Sequence, residues 1–530
     1  MRNPKNSTDY LEPIQIGEAP FGRRSTLTSW LDRPLSRSAC ALGWLVAIAV
    51  FMGLVRILGG PSEGDAAESL YSTWAIAHGH LSCAYPPAST FRFPAIAGPG
   101  PFIAPLWPLL SGAFDAITRI GHNVPFPSQA ALGPHCSTAS AAMYKWSVRS
   151  GSALNSIRLG YLSWLFLMAG VIAMLRASGR GRCGWEPMAL VLMACVPAVW
   201  MPLVTFFHPQ DIVAMGLALC GLACARRSWW VWAGIFLALA ITTQQFALLV
   251  FAPLLVLAPP NRRLTFVKAA VATAAFVVGP FLAVAGRRAI GPVLLGSGNN
   301  VGYEGTLLRE LHLHGTPLLL ASRVLPIVVS MVLARWALRR LGPVALEPVP
   351  LVSLIAVSLS LRLVFDQNLF GYYFMALAVS LVILDVVCGR VRGQLIAWLA
   401  AVTLAFNPVP WGFLSNGTSW GFEAHEDLPL VFMTVALLLI VSDVVRRRIR
   451  WYLVTWLVLV ALAFSNLPPW ATTPLRHALP TWVWQVVLVP TGAALALGPL
   501  LSSMRNRSES SCALIEDSVF VHETTTGTLT

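Results

Sequence analysis

The sequence predicts an all-α, polytopic membrane protein, and three observations carry that prediction. Of its 530 residues 56% are hydrophobic and only 11% are charged, against about 25% charged in ordinary soluble proteins. Apolar runs near twenty residues, the length that crosses a bilayer, recur from Ala41 to Leu501. A mean hydropathy of +0.67 over the whole chain does not describe one buried core with a solvated surface. Soluble multidomain enzymes, disordered proteins and secreted disulfide scaffolds are excluded.

Runs of about 15–22 apolar residues between turn and charge signals give fourteen predicted spans. They lie near 41–59, 156–175, 187–206, 210–225, 229–243, 246–260, 266–286, 316–337, 347–365, 369–388, 393–408, 428–445, 451–467 and 481–501. With the N-terminus inside, Lys and Arg concentrate in the cytoplasmic segments, as the positive-inside rule requires; RVR at Arg390–Arg392 and RRRIR at Arg446–Arg450 are examples. The net charge of +14 therefore reads as topology, and no nucleic-acid partner is expected. The even count puts both tails in the cytoplasm. Some forty polar residues precede the first run, so no secretory signal peptide is expected. Residues 1–40 and 502–530 read as disordered tails around a transmembrane domain at 41–501.

The apolar stretch Pro101–Ile120 stands outside the fourteen. Counting it as a span would invert every later loop, and it contains Pro101, Pro105, Pro108 and Asp115. An outer-surface or re-entrant helix is the better reading, which leaves 60–155 as one long outer loop with short amphipathic helices. Cys83 and Cys136 fall in that loop. In an oxidising compartment they form a disulfide candidate; two unpaired thiols are the alternative.

Ionisable groups at or near membrane depth are costly and mark the places to look for function. In GGPSEGDAAESLYSTWAIAHGHLSCAYPP the glycines and Pro61 end the first helix, and Asp65 sits near the start of a new amphipathic one. A carboxylate there suits a general base for an alcohol in the outer leaflet; a helix N-cap is the plain alternative. Glu68, one turn on, either assists or is solvated. In FFHPQDIVAMGLA, Pro209 makes a tight reversal, Asp211 is expected to cap a helix, and His208, Gln210 and Asp211 are candidates for a sugar hydroxyl or a metal. Gln244 and Gln245 in ITTQQFALL are either satisfied turn amides or substrate contacts.

In LSLRLVFDQNLFGYYF, Arg362 lies one helical turn before Asp366. The two form an ion pair on one face, or the planar guanidinium meets a lipid phosphate. Tyr372 and Tyr373 follow, as substrate contacts or as an aromatic belt. The loop GSGNNVGYEGTLLRELHLHG holds Asn299, Asn300, Tyr303, Glu304, Arg309, His312 and His314; it is a closing loop or a solvated one, and its HxH spacing alone is weak for a metal. No Walker A, CxxC or HExxH sequence occurs, so an activated group must arrive already in the membrane, or energy from an ion gradient.

The first span followed by GD…SLY…A…HGH…YP, with HPQD and the downstream ARRSWWVWAGIFLALAITTQQFALLVFAPLLVLA, resembles the GT-C glycosyltransferases. Within them it is similar to the actinobacterial polyprenol-phosphate-mannose-dependent mannosyltransferases, over roughly residues 41–450. Gln244 and Gln245 stand where that family, in some members, has Lys. The resemblance implies an inverting transfer of a sugar, mannose in that family, from a polyprenyl-phosphate donor to a lipid-linked or envelope-glycan hydroxyl at the outer face of the plasma membrane. It implies Asp65 as base and Arg362 at the donor phosphate. No cofactor is required, and a divalent metal is dispensable. The competing readings are a secondary transporter or lipid-linked-sugar flippase, which should show midplane charges and interrupted helices in both halves, and a non-catalytic envelope scaffold, which would tolerate loss of Asp65.

Overall fold

The computed structural model describes residues 30–57, 69, 72, 73, 75–77, 79, 81–84, 104–118, 152–204, 207–286, 306–313, 315–366, 371–392, 399, 485 and 496–505. The described chain is mostly helical, with no strand among the described residues and one isolated bridge between Pro34 and Cys183. The helices are α1 (Arg37–Ile57), α2 (Leu106–Thr118), α3 (Ser152–Ala177), α4 (Trp185–Cys195), α5 (Pro197–Val204) and α6 (Pro209–Arg226). They continue with α7 (Trp230–Ile241), α8 (Leu248–Leu257), α9 (Pro260–Ala285), α10 (Gly315–Leu341), α11 (Pro348–Phe365) and α12 (Met375–Val387).

Their ends follow from local chemistry. Proline opens α5, α6, α9 and α11, where its missing N–H would have no helical partner anyway. Gly389, at φ +66°, follows α12 while Arg390 N–H returns to the Asp385 carbonyl at 3.0 Å, a left-handed stop that glycine adopts without a side-chain penalty.

Helix α6 runs between α3 and α7, α7 packs on α9, and α8 joins α10 and α11. Helix α12 closes the arrangement against α4, α5, α6 and α11. Every residue of α12 from Met375 to Val387 is buried. Close approach of α3 and α6 depends on two glycines: a Cβ on Gly170 would lie 2.2 Å from the Gly216 carbonyl oxygen, and one on Gly216 would lie 2.3 Å from that of Phe166. Small residues of this kind let helix backbones touch. The periphery is apolar as well, with Phe276 on α9 at 82% exposure and Leu42 on α1 at 64%. An apolar exterior around an apolar interior is what a lipid solvent selects.

Helices occupy all ten predicted spans up to residue 388, and they differ in length. Five helices among the described residues are long and apolar enough to span a membrane, or six if the bent pair α4–α5 counts as one. The physical reason is length. Helix α7, with 12 residues, rises about 18 Å at 1.5 Å per residue, short of the ~30 Å hydrocarbon core. The turns beside such helices are nearly as apolar as the helices, so the runs overstate them. The expected span 187–206 is broken after Cys195 and bent by 50°, because Val196 is extended ahead of Pro197.

The stretch inside Pro101–Ile120 forms the 13-residue α2, about 20 Å long. The predicted spans at 393–408 (apart from Leu399), 428–445 and 451–467, and both predicted tails apart from residues 30–40 and 502–505, lie outside the described residues. So do Asp65, Glu68, Cys136 and the side chain of Cys83.

Candidate functional site

Four separate stretches of sequence meet at one end of the bundle. They are the α5–α6 turn, the α7–α8 turn, the end of α11, and the Gly371–Phe374 turn that leads into α12. The first turn is closed by the His208 N–H bonding the Pro202 carbonyl at 2.6 Å. It passes through Phe207 at φ +51° although that aromatic side chain is 1% exposed. A bulky residue held left-handed is strained by about 1–3 kcal/mol, and here the strain sets the direction of His208.

The expectation that Asp211 caps α6 is corrected. His208 occupies the cap position, with no side-chain cap bond, and Asp211 lies in the first turn. Its carboxylate points across the bundle instead. Gln244 Nε2 donates to Asp211 Oδ1, and Gln244 Oε1 accepts from the Gln245 N–H at 3.1 Å. Gln244 is thus a turn amide and a site residue at once, whereas Gln245 takes part through its main chain. Asp211 is 1% exposed and Gln210 4% exposed, yet Asp211 Oδ2 and Gln210 Oε1 have no hydrogen-bond partner among the described residues. Buried polar atoms in this condition are few in native proteins and call for an explanation.

The amide nitrogen of Gln210 lies 2.8 Å from His208 Nδ1, and the His208 ring stacks on Tyr372, centroids 4.6 Å apart and 11° from parallel. Tyr372 in turn meets Tyr373 edge-on at 4.6 Å. Arg362 donates from Nε to Asp366 Oδ2 at 3.3 Å, so the ion pair expected from their spacing is present. Its guanidinium is sandwiched, 4.3 Å from the centre of the Tyr373 ring and 5.3 Å from that of Phe246. Arg362, His208 and Asp366 are the charged or chargeable groups in electrostatic reach of Asp211. The Arg362 side chain keeps 14% of its surface exposed, and its terminal nitrogens make no hydrogen bond among the described residues. A guanidinium held between two rings, with part of its side chain exposed, suits an oxyanion.

Phe246 and Gln485 join the site without having been nominated by sequence. Gln485 is fully buried; it accepts from the Leu307 N–H at 2.7 Å and donates to the Leu363 and Asp366 carbonyls, each at 3.0 Å. It thereby ties off the end of α11 just beyond Arg362. A lone amide in the apolar WVWQVV run was the signal available. Among the other nominated residues, the short helix Leu307–Glu310 places Arg309 and His312 near the start of α10, and no three His, Cys, Asp or Glu side chains gather as a metal site among the described residues.

A tether runs from this site to the segment that follows Glu68. The Leu106 N–H, at the start of α2, bonds the Thr242 carbonyl at 3.0 Å in the α7–α8 turn. Trp107 Nε1 donates to Ser69 Oγ at 2.9 Å, and the Thr73 and Ser111 hydroxyls share a 2.6 Å hydrogen bond. No protein-family model matches the sequence, and no curated protein matches it.

Proposed function

We propose that the chain is an integral-membrane glycosyltransferase of the GT-C type, moving a sugar from a polyprenyl-phosphate donor to a lipid-linked or envelope-glycan hydroxyl at the outer face of the cell membrane. The observation that carries the reading is the convergence of His208, Gln210, Asp211, Gln244, Arg362, Asp366 and Tyr372 at one end of an apolar bundle, with a guanidinium among them. In the reaction the acceptor oxygen attacks C1 of the sugar as the bond from C1 to the phosphate oxygen breaks. Asp65 takes the acceptor's proton, and the polyprenyl phosphate leaves with the electron pair, its charge met by Arg362. Ser69 and Thr73, the first anchored residues after Asp65, are tethered through α2 to the turn that carries Gln244, which supports a base close to this site.

Asp65→Asn, in membranes supplied with a polyprenyl-phosphate sugar and an envelope acceptor, is expected to lower transfer about 10³-fold at unchanged protein level. Full transfer by the variant rejects Asp65 as base. A second reading, a transporter or lipid-linked-sugar flippase, draws on the broken helix α4–α5 that leads into the His208 turn, since interrupted helices line transport sites. Proteoliposomes separate the two: a flippase moves the donor between leaflets without forming a glycosidic product.

A further inference from the structure

Asp211 Oδ2 and Gln210 Oε1 are two acceptor atoms on adjacent residues of the first turn of α6, both buried and both without a partner among the described residues. Arg362, within electrostatic reach of Asp211, presents donors only. One ligand answers both demands: a phosphate ester whose oxygens take the Arg362 guanidinium and whose hydroxyls donate to the Asp211 and Gln210 oxygens. We infer that Asp211 and Gln210 form a hydroxyl-reading subsite beside the Arg362 anion site, so that this end of the bundle selects a glycosyl phosphate over phosphate alone.

The geometry supports reading as well as binding. Gln244 fixes the other oxygen of Asp211, and His208, clamped on Tyr372, fixes the amide of Gln210. Each acceptor is therefore oriented before a ligand arrives, and a preoriented buried acceptor rejects an analogue that lacks the matching hydroxyl, since the acceptor would stay unpaired. The water displaced from a sugar hydroxyl is replaced by a carboxylate oxygen, a stronger acceptor than a neutral one. The inference rests on the glycosyltransferase reading for the identity of the donor, but not for its test.

The test is equilibrium binding to the purified full chain in detergent, with hexose 1-phosphate and inorganic phosphate as the two probes. Wild type is expected to bind hexose 1-phosphate about tenfold or more tighter than phosphate, one charge-assisted hydrogen bond's worth. Asp211→Asn should erase most of that margin and leave phosphate affinity within about twofold, while Arg362→Gln weakens both probes. Gln210→Met, which removes only the neutral acceptor, should narrow the margin less, and it serves where Asp211→Asn fails to fold. Equal affinity of wild type for the two probes overturns the inference, as does an Asp211→Asn or Gln210→Met protein that keeps the full margin. The expected binding pattern with no transfer from any polyprenyl-phosphate sugar would instead reject the enzyme and leave the subsite standing.

Discussion

The two ends of helices α6, α11 and α12 use the same residue types to opposite effect. At the end far from His208, Glu186, Asp32, Asp385 and Glu347 each lie against an arginine. Glu186, fully buried, accepts from Arg176 Nε at 3.1 Å, Arg176 NH2 at 3.2 Å, Trp44 Nε1 at 3.0 Å and the Arg182 N–H at 3.0 Å. Asp32 takes Arg180 at 2.5 Å and Trp185 Nε1 at 2.8 Å. Asp385 takes the Arg392 N–H at 3.1 Å and Nε at 3.0 Å, and Glu347 takes Arg226 at 2.6 Å. At the His208 end Asp211 receives one neutral amide on one oxygen and, among the described residues, nothing on the other. Burying a charge is tolerable when an opposite charge is held against it and expensive when none is. The ion-paired end is a structural clasp, and under the proposed reading the His208 end is where a ligand would complete the bonding.

The largest effect expected from this difference is at the clasp. Glu186→Ala leaves Arg176 and the Trp44 indole without their partner inside the packed end of α3 and α4. Removing one member of such a buried pair costs about 3–5 kcal/mol, read as a lowered thermal midpoint of the purified protein. A loss under about 1 kcal/mol would mean that the four donors find water as readily as they find Glu186, and the contrast between the ends would lose its energetic basis.

A smaller loss is expected where the site end borrows the clasp's strategy. Gln485 fills main-chain groups from two elements, and Gln485→Leu strands the Leu307 N–H and frees the last carbonyls of α11. About 2 kcal/mol of stability should go. Because Asp366 hangs from that same end and holds Arg362, phosphate affinity should fall too, whereas Gln485→Glu, which retains the acceptor for Leu307, should keep part of it. An unchanged phosphate affinity in Gln485→Leu would show that Gln485 supports the fold without positioning the guanidinium.

The sequence made one half of this contrast legible. Polar residues at the ends of apolar runs stand out because their burial is costly, and His208, Gln210, Asp211, Gln244, Arg362 and Asp366 are nominated on that ground. The Arg362–Asp366 pair was readable because a helix turn fixes it locally. Which distant group each would meet was not. The bond from Gln244 to Asp211 joins residues 33 positions apart, and only the packing of α6 on α7 brings them together. The sandwich around Arg362 was invisible because Phe246 and Tyr373 look like any core or belt aromatic. The ends of individual helices were hard to read for a related reason: Thr242, Thr243 and the Ala258–Pro259 corner interrupt the helices with little change in hydropathy.

The smallest change in stability, and the sharpest test of the contrast, belongs to Asp211→Asn. The asparagine keeps the volume and an oxygen to accept from Gln244, and it removes a buried charge whose second oxygen has no partner among the described residues. If the His208 end trades stability for binding, this substitution should leave the thermal midpoint unchanged or raise stability by up to about 1 kcal/mol, as substitutions at strained functional positions often do. The same change at Glu186 has four donors to disappoint and should lower it. The pair is best measured side by side, without ligand and with hexose 1-phosphate in excess. Wild type should gain stability from the ligand in proportion to its occupancy, and Asp211→Asn should gain much less. Equal losses for Glu186→Gln and Asp211→Asn in the ligand-free protein would place both carboxylates in the same structural role and remove the contrast between the two ends.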